Sequence, residues 1–301
     1  MRIGDLDFQA VRTRLCRSGI LFRSGPFLIR FRTGIPHLAK PFQLLYSDFD
    51  CLPTSLFSDF RIRIEPLPGI ARWLRPQARI LFDGRPMFAP FPARLSLAFL
   101  EWGQNWCIAS QVCQYLVLHA AVLEKSGQAI IFAGPPGSGK STLCAAMAQL
   151  GWRLLSDELT LVRPGDGQVV PMPRPVSLKN ESITIVRQLF PEAVFGPMCP
   201  TARKGEITHL KPPKTSVEEA RIPAAPRWVI FPGYDPGSAV ELRRLPRSRA
   251  FLRLAESSFN YSYLGTAGFE MTAQLIRNCD CYRLSYGNVI DALREIDKVC
   301  S

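Results

Sequence analysis

With 301 residues, 47% of them hydrophobic and 21% charged, the chain is long enough to fold round its own core without a metal or disulfide staple. Its nine cysteines are scattered, with no C-x-x-C pair and no histidine at ligand spacing, which argues against a zinc cage and against a disulfide framework. No apolar run reaches the ~18 residues of a membrane span and the N-terminus lacks the apolar core of a signal peptide, so the expectation is a soluble cytoplasmic protein with no membrane partner. The net charge of +12 suits anionic ligands without choosing among them.

Residues 1–93 read as a β-rich N-terminal domain made of short strands and turns. "ILFRSGPFLIRFRTG" gives two strands about a Ser24-Gly25 turn, and "FRIRIEPL" and "ARILFDGRPMFAPF" alternate apolar and polar residues between Pro and Gly. The arginines Arg12, Arg14, Arg17, Arg23, Arg30 and Arg32 either dock an acidic peptide or coat one sheet face. Residues 94–117 carry Leu95, Leu97, Phe99, Leu100, Trp106, Ile108, Val112 and Leu116 at helical spacing, which predicts a linking helix between two halves.

From residue 118 to 301 the pattern becomes an α/β alternation. It predicts strands at 118–123 and 128–133, a helix over 140–150 stopped by Gly151, a strand at 152–156, and a hairpin over 158–171 turning at Gly165-Asp166-Gly167. Between Pro171 and Pro226 the density of Pro, Lys and Arg predicts long loops with only short helices. Strands at 227–234, 239–245 and 282–286 follow, with helices at 247–257, 268–279 and 288–299.

The stretch that carries chemistry is Gly134-Pro135-Pro136-Gly137-Ser138-Gly139-Lys140-Ser141, a G-x-x-x-x-G-K-S pattern set between the apolar strand "AIIFA" and an amphipathic helix. Gly137 and Gly139 let backbone N–H groups turn inward on phosphate oxygens, at the positive end of the helix that follows. Lys140 is expected to neutralise the β- and γ-phosphates, Ser141 to give its hydroxyl to Mg2+, and Thr142 to lie beside the α-phosphate, so ATP is the expected ligand. No N-K-x-D guanine reader and no Leu-Ser-Gly-Gly-Gln signature is present, which argues against a GTPase and a transporter ATPase. Asp157 follows Lys140 unusually soon and is expected close to the phosphates.

The order of His119, Gly134 fifteen residues on, "GSGKST", and "RLLSDE" resembles the catalytic domain of bacterial HPr kinase/phosphorylase, over about residues 118–185. Kinases related to that enzyme, which keep this core and change the front domain, resemble the chain more closely. The resemblance implies an α/β fold with a P-loop nucleotide-binding core, like that of HPr kinase and phosphoenolpyruvate carboxykinase, behind the β-rich front region. It implies that Asp157 is the base that deprotonates an acceptor serine, that His119 orients the carboxylate or the phosphate, and that Ser141, Asp157 and Glu181 serve the metal. Asp157 as a mere metal-shell residue is the alternative, and Glu206 competes with Glu181. Lys179, Arg203, Lys204, Lys211 and Lys214 form a candidate clamp on the transferring group.

Two departures matter. Glu158 stands where the family has a second aspartate, and the family's Glu-x-Arg-Gly-x-Gly signature is missing, so neither the phosphorylase reaction nor HPr as substrate carries over. The expected function is an ATP- and Mg2+-dependent kinase acting on a serine of a protein or peptide. A small-metabolite kinase of the same fold and a nucleotide-dependent switch protein are the alternatives. Nucleic acid is an unlikely partner, and a homo-oligomer is compatible with the family.

Overall fold

The computed structural model describes residues 1–69, 75–201 and 205–300. The front region holds helix α1 (Phe8–Cys16), strands β1 (Ile20–Ser24) and β2 (Phe27–Thr33), helix α2 (Ala39–Leu45), strands β3 (Phe60–Pro66) and β4 (Gln77–Phe82), the short β5 (Arg85–Pro86) and β6 (Phe91–Pro92), and helix α3 (Ser96–Gln111). The sheet runs β1-β2-β3-β4-β5, with β6 on β4. Alternation sorts its faces: Phe27, Ile29, Phe31 and Thr33 are buried while Leu28, Arg30 and Arg32 point the other way. The strands thus match the expectation, but the two helices α1 and α2 were not expected. α1 starts at Asp7, whose carboxylate accepts from the backbone of Gln9 at 2.8 Å and of Ala10 at 3.3 Å, an N-cap signal present in the sequence. α2 is short and carries Pro41 in its first turn, where a missing N–H costs nothing.

The second part is built on strands β7 (Leu116–Lys125) and β8 (Gln128–Ala133), helix α4 (Lys140–Gln149), and strands β9 (Arg153–Ser156), β10 (Leu159–Val162) and β11 (Val169–Val170). After an intervening segment come β15 (Ala225–Tyr234), β16 (Glu241–Arg244), α7 (Arg247–Glu256), α8 (Tyr261–Leu264), α9 (Thr266–Asn278), β17 (Asp280–Tyr286) and α10 (Val289–Cys300). Their sheet runs β11-β10-β7-β8-β15-β17-β16, with β9 also on β7, and β15 lies parallel to both β8 and β17. One face packs α4 and α10 through Phe132, Leu143, Ala146 and Ile296, and the other packs α7 and α9 through Ile131, Val229, Leu254 and Leu275. Burial on both faces explains the continuous apolar runs "AIIFA" and "WVIF".

The intervening segment departs from the loops expected of it. It forms β12 (Val176–Lys179), α5 (Glu181–Leu189), β13 (Cys199–Thr201), β14 (Gly205–Leu210) and α6 (Lys214–Glu218), with the three strands in one small antiparallel sheet ordered β12-β14-β13. Short strands between prolines leave too little alternation to read. The buried cluster of the front region reaches into the second part, taking in Leu159, Leu161 and Met172. Among the described residues no helix is long and apolar enough to cross a membrane.

Candidate active site

β8, β15 and β17 run parallel, β15 and β17 ending level at Tyr234 and Tyr286 and β8 ending at Ala133, and a crevice beyond the carboxyl ends of such strands is where open α/β sheets bind ligands. A cavity of about 840 Å³ lies there, lined by residues 136–142 except Ser138, by His119, Asp157, Glu158, Lys179 and Glu181, and by Tyr234 and Tyr286.

The loop from Gly134 to Gly139 joins β8 to α4. Gly139 takes φ +94° at the helix N-cap, a left-handed conformation, and a Cβ there would lie 1.9 Å from the Tyr286 hydroxyl. The Lys140 ammonium turns back into the loop and donates to the carbonyls of Gly134 at 2.6 Å and Pro135 at 3.0 Å. Ser138 is buried with its hydroxyl unpartnered. The loop therefore gathers a cation and a helix N-terminus at one end of the cavity.

Asp157, which follows β9, is only 7% exposed. Its Oδ2 accepts from the backbone N–H of Ser177 on β12 at 3.0 Å, while Oδ1 is buried with no hydrogen-bond partner. Burial, and then the neighbouring Glu158 charge, push its carboxyl up to about 6, against the lowering pull of the Ser177 N–H, the Ser141 hydroxyl and Lys179. Burial holds the Lys140 ammonium below its usual range, opposed by Asp157 and Glu158. Burial and then Lys140 likewise lower His119, which favours the neutral imidazole. His119 lies on β7, and its ring centroid sits 5.7 Å from that of Phe259.

Every residue expected to serve catalysis or the metal, namely Asp157, Lys140, His119, Ser141 and Glu181, lines this one cavity. Glu206 does not. It sits on β14, where its N–H donates to Asn180 Oδ1 at 3.1 Å. Of the basic residues grouped as a clamp, Lys179 lines the cavity. Lys211 pairs with Asp48 at 2.8 Å and Lys214 lies 3.9 Å from Glu218, both away from it, and Arg203 and Lys204 fall outside the described residues. The early arginines line no part of it either: Arg30 donates to the carbonyls of Thr54 and Leu56, and Arg32 to that of Cys16 at 3.3 Å.

Sequence reasoning missed Trp102 of α3, Ser177 and Asn180 at β12, and the Tyr234–Tyr286 pair, whose ring centroids are 5.5 Å apart. The tyrosines had a signal: each ends a parallel strand. Trp102 had none, because it sits in a helix full of aromatics.

Among the described residues no three His, Cys, Asp or Glu side chains come close enough to hold a metal by themselves. The oxygens of Ser141, Asp157 and Glu181 are of the kind that suits a small hard cation keeping waters and phosphate oxygens among its ligands, and Asp157 Oδ1 is a buried oxygen with no hydrogen-bond partner.

The family model described as "ScmC: SynChlorMet cassette protein ScmC" matches residues 105–180, about a quarter of the chain. That stretch runs from the last turns of α3 to the end of β12 and includes the 134–141 loop, Asp157 and Lys179. No curated protein matches the chain.

Proposed function

We propose that this protein is an ATP- and magnesium-dependent kinase of the HPr kinase type that phosphorylates a serine hydroxyl of a protein or peptide. One arrangement carries the reading: Asp157, whose buried Oδ1 has no hydrogen-bond partner, lines the same cavity as Lys140, Ser141, Glu181 and the N-terminus of α4. A carboxylate raised by burial and held by one backbone N–H is suited to accept a proton.

In the proposed reaction the acceptor hydroxyl oxygen attacks the γ-phosphorus and its proton passes to Asp157. The bond from γ-phosphorus to the bridging oxygen breaks, and ADP leaves with that electron pair. Lys140 and the N–H groups of Gly137 and Gly139 compensate the charge that grows on the phosphate oxygens, and Lys179 adds a second cation at the cavity wall. Magnesium, held by Ser141 and Glu181 with Asp157 beside them, would supply further neutralisation of the β- and γ-phosphates. Neutral His119 lines the wall near Lys140 and orients the phosphate or the carboxylate.

Purified protein with γ-labelled ATP and serine-containing acceptors tests the reading. Asp157→Asn is expected to lower transfer by roughly 10²- to 10⁴-fold, the usual worth of a general base, with nucleotide binding retained. Lys140→Ala is expected to weaken both. Full transfer by Asp157→Asn alongside none by Lys140→Ala would refute the base assignment.

A further inference from the structure

A line of buried polar groups leads from the aromatic core of the front region to the acidic pair. Tyr46 lies among Phe22, Phe42 and Phe49, with ring centroids 5.0, 4.8 and 4.9 Å away. Its hydroxyl donates to Glu101 Oε1 and accepts from Gln104 Nε2 at 2.7 Å. The other Glu101 oxygen, Oε2, lies 3.6 Å from Nη1 of Arg174, which also reaches the Glu101 carbonyl at 3.5 Å. Arg174 Nη2 donates to Asn105 Oδ1, and Asn105 Nδ2 donates to Glu158 Oε2. Tyr46, Glu101, Gln104 and Arg174 are all at most 6% exposed.

Three features make this more than incidental packing. Glu101, Gln104 and Asn105 stand at i, i+3 and i+4, so they share one face of α3, and they are the polar residues of its middle turns, among Leu97, Phe99, Leu100, Trp102, Trp106 and Ile108. The Asn105 amide has one workable orientation: Arg174 can only donate and a Glu158 carboxylate can only accept, so a flip would lose both bonds. Burying Arg174 and Glu101 costs desolvation that apolar side chains at the same places would avoid. The network ends on Glu158, which borders the cavity beside Asp157 and whose extra methylene, relative to aspartate, lets it reach α3.

We propose that Asn105 is a positioning residue, oriented by Arg174, that fixes the Glu158 carboxylate at the reacting end of the cavity and so makes the front region part of the active site. The inference rests on the kinase reading above. It assigns Asn105 no contact with substrate. Holding one oxygen of Glu158 removes the rotamer freedom of a long side chain, and fixes the charge that lies next to Asp157.

The test is a double-mutant cycle on the full chain with wild type, Asn105→Ala, Glu158→Gln and the double variant. Two quantities are read: the dissociation constant of fluorescent N-methylanthraniloyl-ATP with Mg2+, and the rate at which the γ-phosphoryl group of labelled ATP is transferred or released. Each single variant is expected to lose at least about tenfold in rate with affinity held within about threefold, a split that fits loss of positioning and not loss of binding. The double variant is expected to be no slower than Glu158→Gln alone. Asn105→Asp is a second probe if Asn105→Ala does not fold: it keeps an acceptor for Arg174, removes the donor to Glu158, and is expected to show the same loss of rate. Losses that multiply in the double variant, or an unchanged rate in Asn105→Ala or Asn105→Asp, overturn the positioning role alone. A wild type that binds no nucleotide, or binds it and never moves the γ-phosphoryl group, overturns the kinase reading and this role falls with it.

Discussion

Gly139 has no room for a side chain, because its φ of +94° disfavours any L-residue and the Tyr286 hydroxyl occupies the space a Cβ needs. Gly139→Ala is therefore expected to destabilise the fold by about 1–3 kcal/mol, as overpacking does, and to weaken nucleotide binding. Thermal unfolding and N-methylanthraniloyl-ATP titration check this. Tyr286→Phe in the same background should restore part of both, since it removes the nearest atom and leaves the ring carbon at 2.9 Å. The basic residues divide in the same residue-by-residue way. Lys179→Ala is expected to cost about 10²-fold in kcat/KM, on the scale of a single stabilising contact in a shielded site. Lys214→Ala, which removes an exposed lysine 3.9 Å from Glu218, should stay within twofold.

At the scale of elements, the small sheet β12-β14-β13 is what completes the cavity, since β12 supplies the N–H that holds Asp157 and ends at Lys179. Its strand β14 buries His209 completely with both ring nitrogens unpartnered. Burial first, then Lys179 and Arg174, hold that imidazole down at about 3, so it is neutral when folded. The sign follows from linkage. A depressed folded value means that the unfolded chain takes up the proton first, so stability is full above the ordinary histidine value of 6.5 and is lost as pH falls toward 3. His209→Leu is predicted to lose less stability than wild type between pH 7 and pH 4.5, as measured by chemical denaturation, and an equal loss would contradict the account. The sequence announced the long elements well. Strand 128–133 and the helix from Lys140 were legible because burial on both sides and a glycine stop leave strong patterns. β12 and β14 were not, because four to six residues between prolines carry too little periodicity. On α3 the aromatic spacing was plain, but the polar set Glu101, Gln104 and Asn105 takes its meaning from Arg174, 69 residues beyond Asn105.

For the whole molecule, the front region and the larger sheet share a core. Leu159, Leu161 and Met172 join the cluster built on Phe22, Phe31 and Phe42, and the polar network from Tyr46 to Glu158 crosses the same boundary. One cooperative unfolding transition is expected by calorimetry, with equal calorimetric and van't Hoff enthalpies; two resolved transitions would show that the front region stands apart. The candidate site was more legible than its surroundings. The glycines, Lys140, Ser141 and Asp157 lie within 24 residues of sequence and stood out by their spacing, whereas Trp102, Tyr234 and Tyr286 come from distant strands and a distant helix that only folding brings together. The central claim is that the γ-phosphoryl group of ATP is moved at Asp157 to a serine. The most direct measurement is the fate of γ-labelled ATP with Mg2+ and a serine-containing peptide library, followed by phosphoamino-acid analysis of wild type and Asp157→Asn. The account predicts label on peptide serine with wild type and its loss with the variant; label that ends only in inorganic phosphate or in a small metabolite would contradict it.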